Sequence, residues 1–383
     1  MYLLPKPKTI KEQDGQMLLC YSTHIVMTKE VAETEMHAAK RLQEAIRQET
    51  GLILPFSVGE VREGDLSLGI AKTLPEQTYE ITIDEKGGQI SGGDGAGVLY
   101  GVETFCQIVQ QCGGILPCVQ IQDAPDMPNR GYYFDQTRGR VLKLEELKKI
   151  ADRMCRYKLN QLQLYVEHTY LFRDFSEMWR DQTPLTAEEI LELDSYCRER
   201  HIELVPSLAS FGHLCTLLST KTYGDLCEME DSWKEPFSFW NRMRYHTINV
   251  SDERSLPLIK KMIAEYMQLF SSNKFNICAD ETFCLGKYKS KKLAEERGVH
   301  RLYIDYVKEL AQFLVENGKI PMFWGDIIWN SPELMKELPE SMICLNWGYA
   351  PEQREDETRA IAQTGAVQYL CPGVCGLSLI HIS

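Results

Sequence analysis

The chain has 383 residues, 44% of them hydrophobic and 10% aromatic, and a formal net charge of −13. This is the composition of a globular protein with a sizeable core, long enough for two or three domains or for one large barrel with an appendage. The acidic balance argues against nucleic acid as a partner, because phosphate neutralisation demands basic patches, and no run of about 18 uncharged apolar residues is present to span a membrane.

The opening residues, Met1-Tyr2-Leu3-Leu4-Pro5-Lys6-Pro7-Lys8, carry a short apolar patch before two prolines. They lack the charged, apolar, small order of a secretory signal. The expected compartment is the cytoplasm, or the periplasm or exterior if the N-terminus is a processed one. Residues 1–125 read as a small α+β domain. A helical period covers 28–48, with Ala32, Met36, Ala39 and Leu42 on one side. Residues 78–83 alternate as a half-buried strand does. Gly92-Gly93-Asp94-Gly95-Ala96-Gly97 resembles a phosphate loop. However, Val98 and Tyr100 stand where a third glycine is required, and no P-loop lysine follows. The cluster reads as a turn into a helix over 97–111. Asp123-Ala124-Pro125-Asp126-Met127-Pro128 then supplies turn formers at a domain boundary.

From residue 130 onward strand and helix alternate. Strands are expected over 131–134, 161–166, 202–208, 275–279, 320–323, 342–345 and 366–370. Helices are expected over 144–157, 256–271 and 303–317, and another opens on the capping box Thr186-Ala187-Glu188-Glu189 and runs to about Arg200. A long polar and aromatic stretch occupies roughly 211–250. Alternation of this kind predicts a parallel sheet. With so many units, the expected fold is α/β, a (β/α)8 TIM-type barrel over 130–383. A doubly wound sheet is the alternative, although its phosphate loop is missing. Thirteen cysteines are scattered without a Cys-x-x-Cys pair, and His-Glu-x-x-His is absent. A structural zinc site therefore has no local support, and buried free thiols in a reducing compartment are the simpler account.

In such barrels the chemistry sits where strands end and loops begin. The strand ends hold Asp135 and Arg138, then Glu167 and His168, then Gly212-His213, then Asp280-Glu281, then Trp324 and Asp326, and finally Trp347 and Tyr349. Side chains alternate faces along a strand, so two adjacent carboxylates converge on one ligand only where the strand gives way to a loop. Two such charges are costly together unless a site uses them. Glycoside chemistry wants this pair, one group donating a proton and one stabilising positive charge. Asp280 and Glu281 are the catalytic candidates. Asp135, Arg138, Glu167, His213, Trp324, Asp326, Trp347 and Tyr349 are candidates for substrate binding, the charged groups for hydroxyls and the indoles for pyranose faces.

Further motifs add to this. Asp94-Gly95-Ala96-Gly97-Val98-Leu99-Tyr100-Gly101-Val102-Glu103-Thr104, Ile121-Gln122-Asp123-Ala124-Pro125 with Arg130-Gly131, Asp135-Gln136-Thr137-Arg138, Phe211-Gly212-His213-Leu214 and Asp280-Glu281 occur in that order. Over about 78–376 the chain resembles the family 20 glycoside hydrolases, the β-N-acetylhexosaminidases. Its Phe-Gly-His-Leu form is similar to the hexosaminidase D-like and related bacterial branch. The resemblance implies a retaining exo-glycosidase that removes terminal β-linked N-acetylhexosamine, with N-acetylhexosamine-containing glycans or glycoconjugates as partners. It implies substrate-assisted catalysis through an oxazolinium ion, an exception to the two-carboxylate rule, and one that needs no metal and no organic cofactor. Glu281 would then be the general acid and base, and Asp280 would hold the acetamido N–H. Arg138 and His213 would bind hydroxyls and support the site, with Trp324 and Trp347 walling the acetamido pocket.

The chain also departs from that pattern. The family usually has His-x-Gly-Gly-Asp-Glu, whereas Asn276, Cys278 and Ala279 stand here. The tail Leu377-Ser378-Leu379-Ile380-His381-Ile382-Ser383 is too short for an eighth strand and helix, and a late tryptophan and acidic residue are missing. The barrel is expected to be incomplete after strand seven, with a final few residues that do not read as native. A carbohydrate-binding barrel that has lost turnover is therefore the alternative function. Another acetamido-dependent barrel glycosidase is a third, which the Asp-x-x-Arg and Gly-His matches oppose.

Overall fold

The computed structural model describes residues 1–236, 238–350, 352 and 354–373. The chain divides into two compact units. One comprises Met1–Tyr132, Glu145–Leu162 and Ser195–Glu203, and the other Tyr133–Leu144, Gln163–Asp194 and the chain from Leu204 onward.

The first unit is built on β1 (Thr9–Leu18), β2 (Ile25–Met27), α1 (Lys29–Thr34), α2 (Met36–Thr50), β3 (Phe56–Val58), β4 (Leu66–Ile70), β5 (Tyr79–Asp84), β6 (Gly87–Gly92), α3 (Gly95–Cys112) and β7 (Ile115–Asp123). Its sheet has the order β1-β7-β5-β6-β4-β2-β3. The strands from β1 to β6 pair antiparallel, and those from β6 to β3 pair parallel. In β5, Tyr79, Ile81 and Ile83 are buried and their neighbours are not, as the alternation predicts. The helix expected over 28–48 is two helices meeting at Glu35, whose backbone (φ −121°, ψ 28°) leaves the helical region. The glycine cluster is a helix entrance. Asp94 caps α3, its Oδ1 accepting the Gly97 amide at 2.7 Å. A β-carbon on Gly97 would stand 2.2 Å from the Thr78 carbonyl oxygen, so glycine is required there by close packing.

The chain continues through β8 (Gly131–Asp135), α4 (Leu144–Arg156), β9 (Gln161–Val166), α5 (Ser176–Trp179), α6 (Ala187–Arg198), β10 (Glu203–Leu208), α7 (Cys215–Leu218), α8 (Phe239–Arg244), α9 (Ser255–Met267) and β11 (Lys274–Asn276). There follow α10 (Lys291–Arg297), α11 (Val299–Glu316), β12 (Ile320–Trp324), β13 (Ile343–Gly348), α12 (Glu355–Gln363) and β14 (Val367–Pro372). The seven strands β8 to β14 form one sheet in strictly sequential order. The pairs from β10 to β14 are parallel. A doubly wound sheet reverses its strand order at a switch point. This sheet does not, so among the described residues it is seven strands of a (β/α)8-type barrel, and the doubly wound alternative falls. The tail, for which a non-native end is expected, lies outside the described residues from 374 onward.

Two boundaries differ usefully from expectation. The fourth barrel strand stops at Asn276 rather than Ala279, because Cys278 (φ 57°) and Ala279 (φ 60°) turn into the left-handed region. The polar stretch over 211–250 is a folded excursion carrying α7 and α8. Among the described residues no helix is long and apolar enough to cross a membrane. No described cysteine forms a disulfide, and Cys106, Cys155, Cys197, Cys278 and Cys344 are all buried.

Candidate active site

The acidic doublet stands on a strained turn whose carbonyls are individually held. Beyond β11, Cys278, Ala279 and Glu281 (φ 48°) all have left-handed backbones. For a residue with a β-carbon this conformation costs roughly 1–2 kcal/mol. The surroundings fix it. Ser210 Oγ donates to the Ile277 carbonyl at 2.6 Å, the Trp324 amide to that of Cys278 at 2.9 Å, and the Tyr303 hydroxyl to that of Ala279 at 3.0 Å. Asn276 Oδ1 accepts the Cys278 amide at 2.8 Å, and its Nδ2 donates to Gln163 at 3.0 Å. A strand would send Asp280 and Glu281 to opposite faces. The turn brings both carboxylates to one partner.

That partner is His213. Its Nε2 lies 3.3 Å from Asp280 Oδ2 and 3.3 Å from Glu281 Oε2. The contact is an ion pair rather than an aligned hydrogen bond, since neither ring nitrogen closes one of good geometry. His213 itself has a left-handed backbone (φ 60°). The loop is fixed from the 211–250 excursion: the Ile248 amide donates to the Phe211 carbonyl and the Leu214 amide to that of His246.

Burial alone would push the imidazole of His213 towards neutrality. Asp280 first and Glu281 after it outweigh that and raise its pKa to about 10. The Asp280 carboxyl is likewise lowered. Burial opposes its ionisation, but His213 and then Arg138 win. Asp326 behaves in the opposite way. Burial and the negative charge of Asp280 push it up to about 8. Its Oδ2 accepts the Glu281 amide at 2.9 Å, and its Oδ1 has no hydrogen-bond partner among the described residues.

A second charged cluster adjoins the first. Asp135 accepts the amides of Thr137 and Arg138 at 2.9 and 2.8 Å, and the Arg138 Nε–H at 2.7 Å. The Arg138 guanidinium lies over the Tyr165 ring, 4.7 Å from its centroid, and its Nε is 3.9 Å from Glu167 Oε1. Glu167 is buried and takes hydrogen bonds from Tyr165 Oη and Arg242 Nη2, each at 2.9 Å. Burial would keep its carboxyl neutral, yet Arg242, Arg138 and His213 hold it below the usual range. His168 is buried beside it, with Nδ1 3.2 Å from Thr216 Oγ1, and burial lowers its pKa.

Aromatic rings complete the wall. Trp324 is buried and meets Tyr133 edge to face, with centroids 4.8 Å apart. Trp347 packs against Trp329 at 6.0 Å and against Tyr349 at 5.1 Å. Burial pushes the Tyr349 hydroxyl up to about 12, with Asp280, Glu281 and Asp135 adding to the shift and Arg138 opposing it, so Tyr349 shares the field of both clusters. All ten candidate residues read from the strand ends thus fall into two linked charged clusters and an aromatic flank. Sequence reasoning missed Arg242, Tyr133, Tyr165 and Trp329. Arg242 lies on α8, remote from any strand end, and only the density of Arg and aromatic residues in 239–245 marks it. Among the described residues no group of His, Cys, Asp and Glu is arranged to hold a metal.

Residues 1–124 match the family profile for glycosyl hydrolase family 20, domain 2, and residues 128–373 match that for the glycosyl hydrolase family 20 catalytic domain. A β-hexosaminidase of Porphyromonas gingivalis is 24% identical over 416 residues, covering 99% of this chain and 51% of that protein. The chain spans about half the length of the curated relatives it matches first. The chitobiase of Flavobacterium johnsoniae superposes with a TM-score of 0.82 at 19% identity, over 97% of this chain and 59% of that one. An exo β-N-acetylglucosaminidase from Vibrio harveyi, solved with N-acetylglucosamine, gives 0.80 at 19% identity, over 97% and 60% of the two chains. At these identities the solved structures speak for the fold.

Proposed function

We propose, on the premise that the chain belongs to glycosyl hydrolase family 20, that it hydrolyses terminal β-linked N-acetylhexosamine with retention, using the substrate's own acetamido group. The observation that carries this reading is the doublet itself: two adjacent carboxylates turned towards one buried imidazole, 3.3 Å from each. A protein-nucleophile mechanism needs two carboxylates on opposite sides of the scissile bond. Neighbouring residues that share one imidazole do not supply that. They do suit one carboxylate that stays charged and one that exchanges a proton.

Asp280 is the group that stays charged. Its lowered pKa keeps an anion available to accept the acetamido N–H and to stabilise positive charge as the acetamido oxygen attacks the anomeric carbon. Glu281 protonates the departing glycosidic oxygen and then removes a proton from the water that opens the oxazolinium ion. His213 holds the two apart in role by carrying the compensating positive charge. Arg138, Asp135 and Glu167 offer a charged array to the sugar hydroxyls. Trp324, Trp347 and Tyr349 wall the pocket that receives the acetamido methyl. We read residues 1–125 as a non-catalytic α+β domain and 130–383 as the catalytic domain.

The test is hydrolysis of a chromogenic β-N-acetylglucosaminide and its galactosaminide counterpart. Asp280→Asn and Glu281→Gln are each expected to lower turnover by about two to three orders of magnitude. Wild-type-like rates in either variant would remove that residue's role. Binding of an oxazoline mimic without turnover would replace the reading by the carbohydrate-binding alternative.

A further inference from the structure

Two carboxyl groups meet one imidazole at the catalytic turn, and a third, that of Asp326, makes a bond there that no sugar contact explains. Asp326 follows β12 and lies across from the doublet. Its Oδ2 accepts the main-chain N–H of Glu281 at 2.9 Å. That amide belongs to a residue with a left-handed backbone, on a turn where every other hold is on a carbonyl or on the residues before it. Asp326 is thus the one described side chain that grips the proton donor by its own peptide unit. Its other oxygen, Oδ1, is buried and makes no hydrogen bond among the described residues.

We propose that Asp326 is a positioning residue that acts through Glu281: Oδ2 fixes the Glu281 main chain, and the unshared Oδ1 holds one proton of the three-carboxyl cluster. The proposal rests on the reading of Glu281 as the acid. Were Asp326 charged, the turn would carry three carboxylates against the single imidazolium of His213. Arg138 is already committed to Asp135 and lies near Glu167. A proton on Oδ1 leaves the Oδ2 bond intact and leaves the imidazolium to the doublet. The groups facing Asp326 agree with this. Burial, the negative charge of Asp280 and that of Glu281 all disfavour a further negative charge there, while Tyr303 of α11 and Cys344 of β13, which also lie within its field, are uncharged. The Glu281 amide and the Trp347 indole favour the anion but do not outweigh these. The direction of the Asp326 shift, up to about 8, is the same.

The experiment compares Asp326→Ala and Asp326→Asn in the full chain. Asparagine keeps an acceptor for the Glu281 amide and cannot ionise; alanine removes the acceptor. The alanine variant is expected to lower kcat about 100-fold with KM changed less than about threefold, because misplacing a reacting group costs turnover rather than affinity. Asparagine is expected to recover at least about tenfold of that loss. A KM effect with unchanged kcat would make Asp326 a sugar contact instead, and equal losses in both variants would show that the charge is needed; either result overturns the proposal. A readout free of turnover keeps the two readings separate. In chain labelled with 15N-glutamate, the Glu281 amide should shift with a midpoint near pH 8, and Asp326→Asn should abolish that step. Absence of the step overturns the proposal even if the chain hydrolyses nothing, and its presence in an inactive chain would leave the proposed activity as the part that failed.

Discussion

Gly212 lies so close under the turn that carries Asp280 and Glu281 that a β-carbon on it would stand 2.5 Å from the carbonyl oxygen of Asp280. No real β-carbon approaches backbone oxygen so closely, and backbone cannot swing aside as a flexible side chain does. Gly212 also sets the position of His213, whose imidazole must reach both carboxylates. The loop bearing the cation and the turn bearing the anions are thus fitted backbone to backbone.

Gly212→Ala should therefore act on both partners of the ion pair. Overpacking of this kind costs about 1–3 kcal/mol of stability. A displacement of about 1 Å between acid and imidazole costs about 100-fold in turnover. Thermal unfolding and kcat of the alanine variant check this. Wild-type values in both would mean that the approach is looser than the geometry states.

At Ala279 the family pattern has glycine, and the backbone explains the preference. With φ at 60° and the methyl buried, alanine sits in a conformation that glycine adopts without penalty. Ala279→Gly should relieve about 1 kcal/mol of strain, offset by a similar loss of methyl burial and chain entropy. Stability is expected to change by less than about 1 kcal/mol. Ala279→Val should lose about 3 kcal/mol or more, because a β-branched residue is scarcely tolerated at positive φ and this site is closed. Denaturant midpoints of the two variants separate strain from simple loss of volume; equal destabilisation would count against the strain argument.

The turn also marks what the sequence could and could not reveal. The strand order was readable because βα alternation with seven apolar runs leaves few topologies. The convergence of Asp280 and Glu281 was readable because adjacent carboxylates after a strand need a loop to converge. The place where the strand breaks was not, since Cys278 and Ala279 carry no turn signal: neither is a residue that favours the left-handed region. Tertiary hydrogen bonds from Ser210, Tyr303 and the Trp324 amide impose it. Likewise the break at Glu35 lies inside an unbroken helical period, and the non-helical backbone there prevails over propensity.

Arg242 was hidden for a related reason. It reaches Glu167 from α8, 75 residues away in the chain, with no periodic pattern to announce it. Arg242→Ala should leave the buried Glu167 carboxylate with Tyr165 and the more distant Arg138, at a cost of about 3–5 kcal/mol. The wild-type pair places one arginine, 17% exposed, against a carboxylate 3% exposed. Adding Glu167→Gln should recover much of the stability lost in Arg242→Ala, since the uncompensated charge goes with it. A double-mutant cycle on unfolding free energies measures the coupling. Additive losses would mean that the pair does not interact as placed.

The pH dependence of stability tests His213 directly. In the folded chain its imidazole is raised to about 10; in the unfolded chain it titrates near about 6.5. Between those values the folded state binds the extra proton. The stability gained is therefore complete below about pH 6.5 and is lost as pH rises through about 10. Asp280 has the opposite sign. Its lowered value gives a contribution that is present above about pH 4 and is lost as pH falls through the folded value. His213→Gln removes the first contribution and weakens the second, because His213 is the main group that lowers Asp280. The gap in unfolding free energy between wild type and variant should be widest near pH 6, on the order of 2–4 kcal/mol, and should close towards pH 10. Calorimetric unfolding across that range gives the curve directly. A gap that stays constant from pH 6 to 10 would mean that the imidazole is neutral in the fold, and the ion pair between His213 and the acidic doublet would have to be given up.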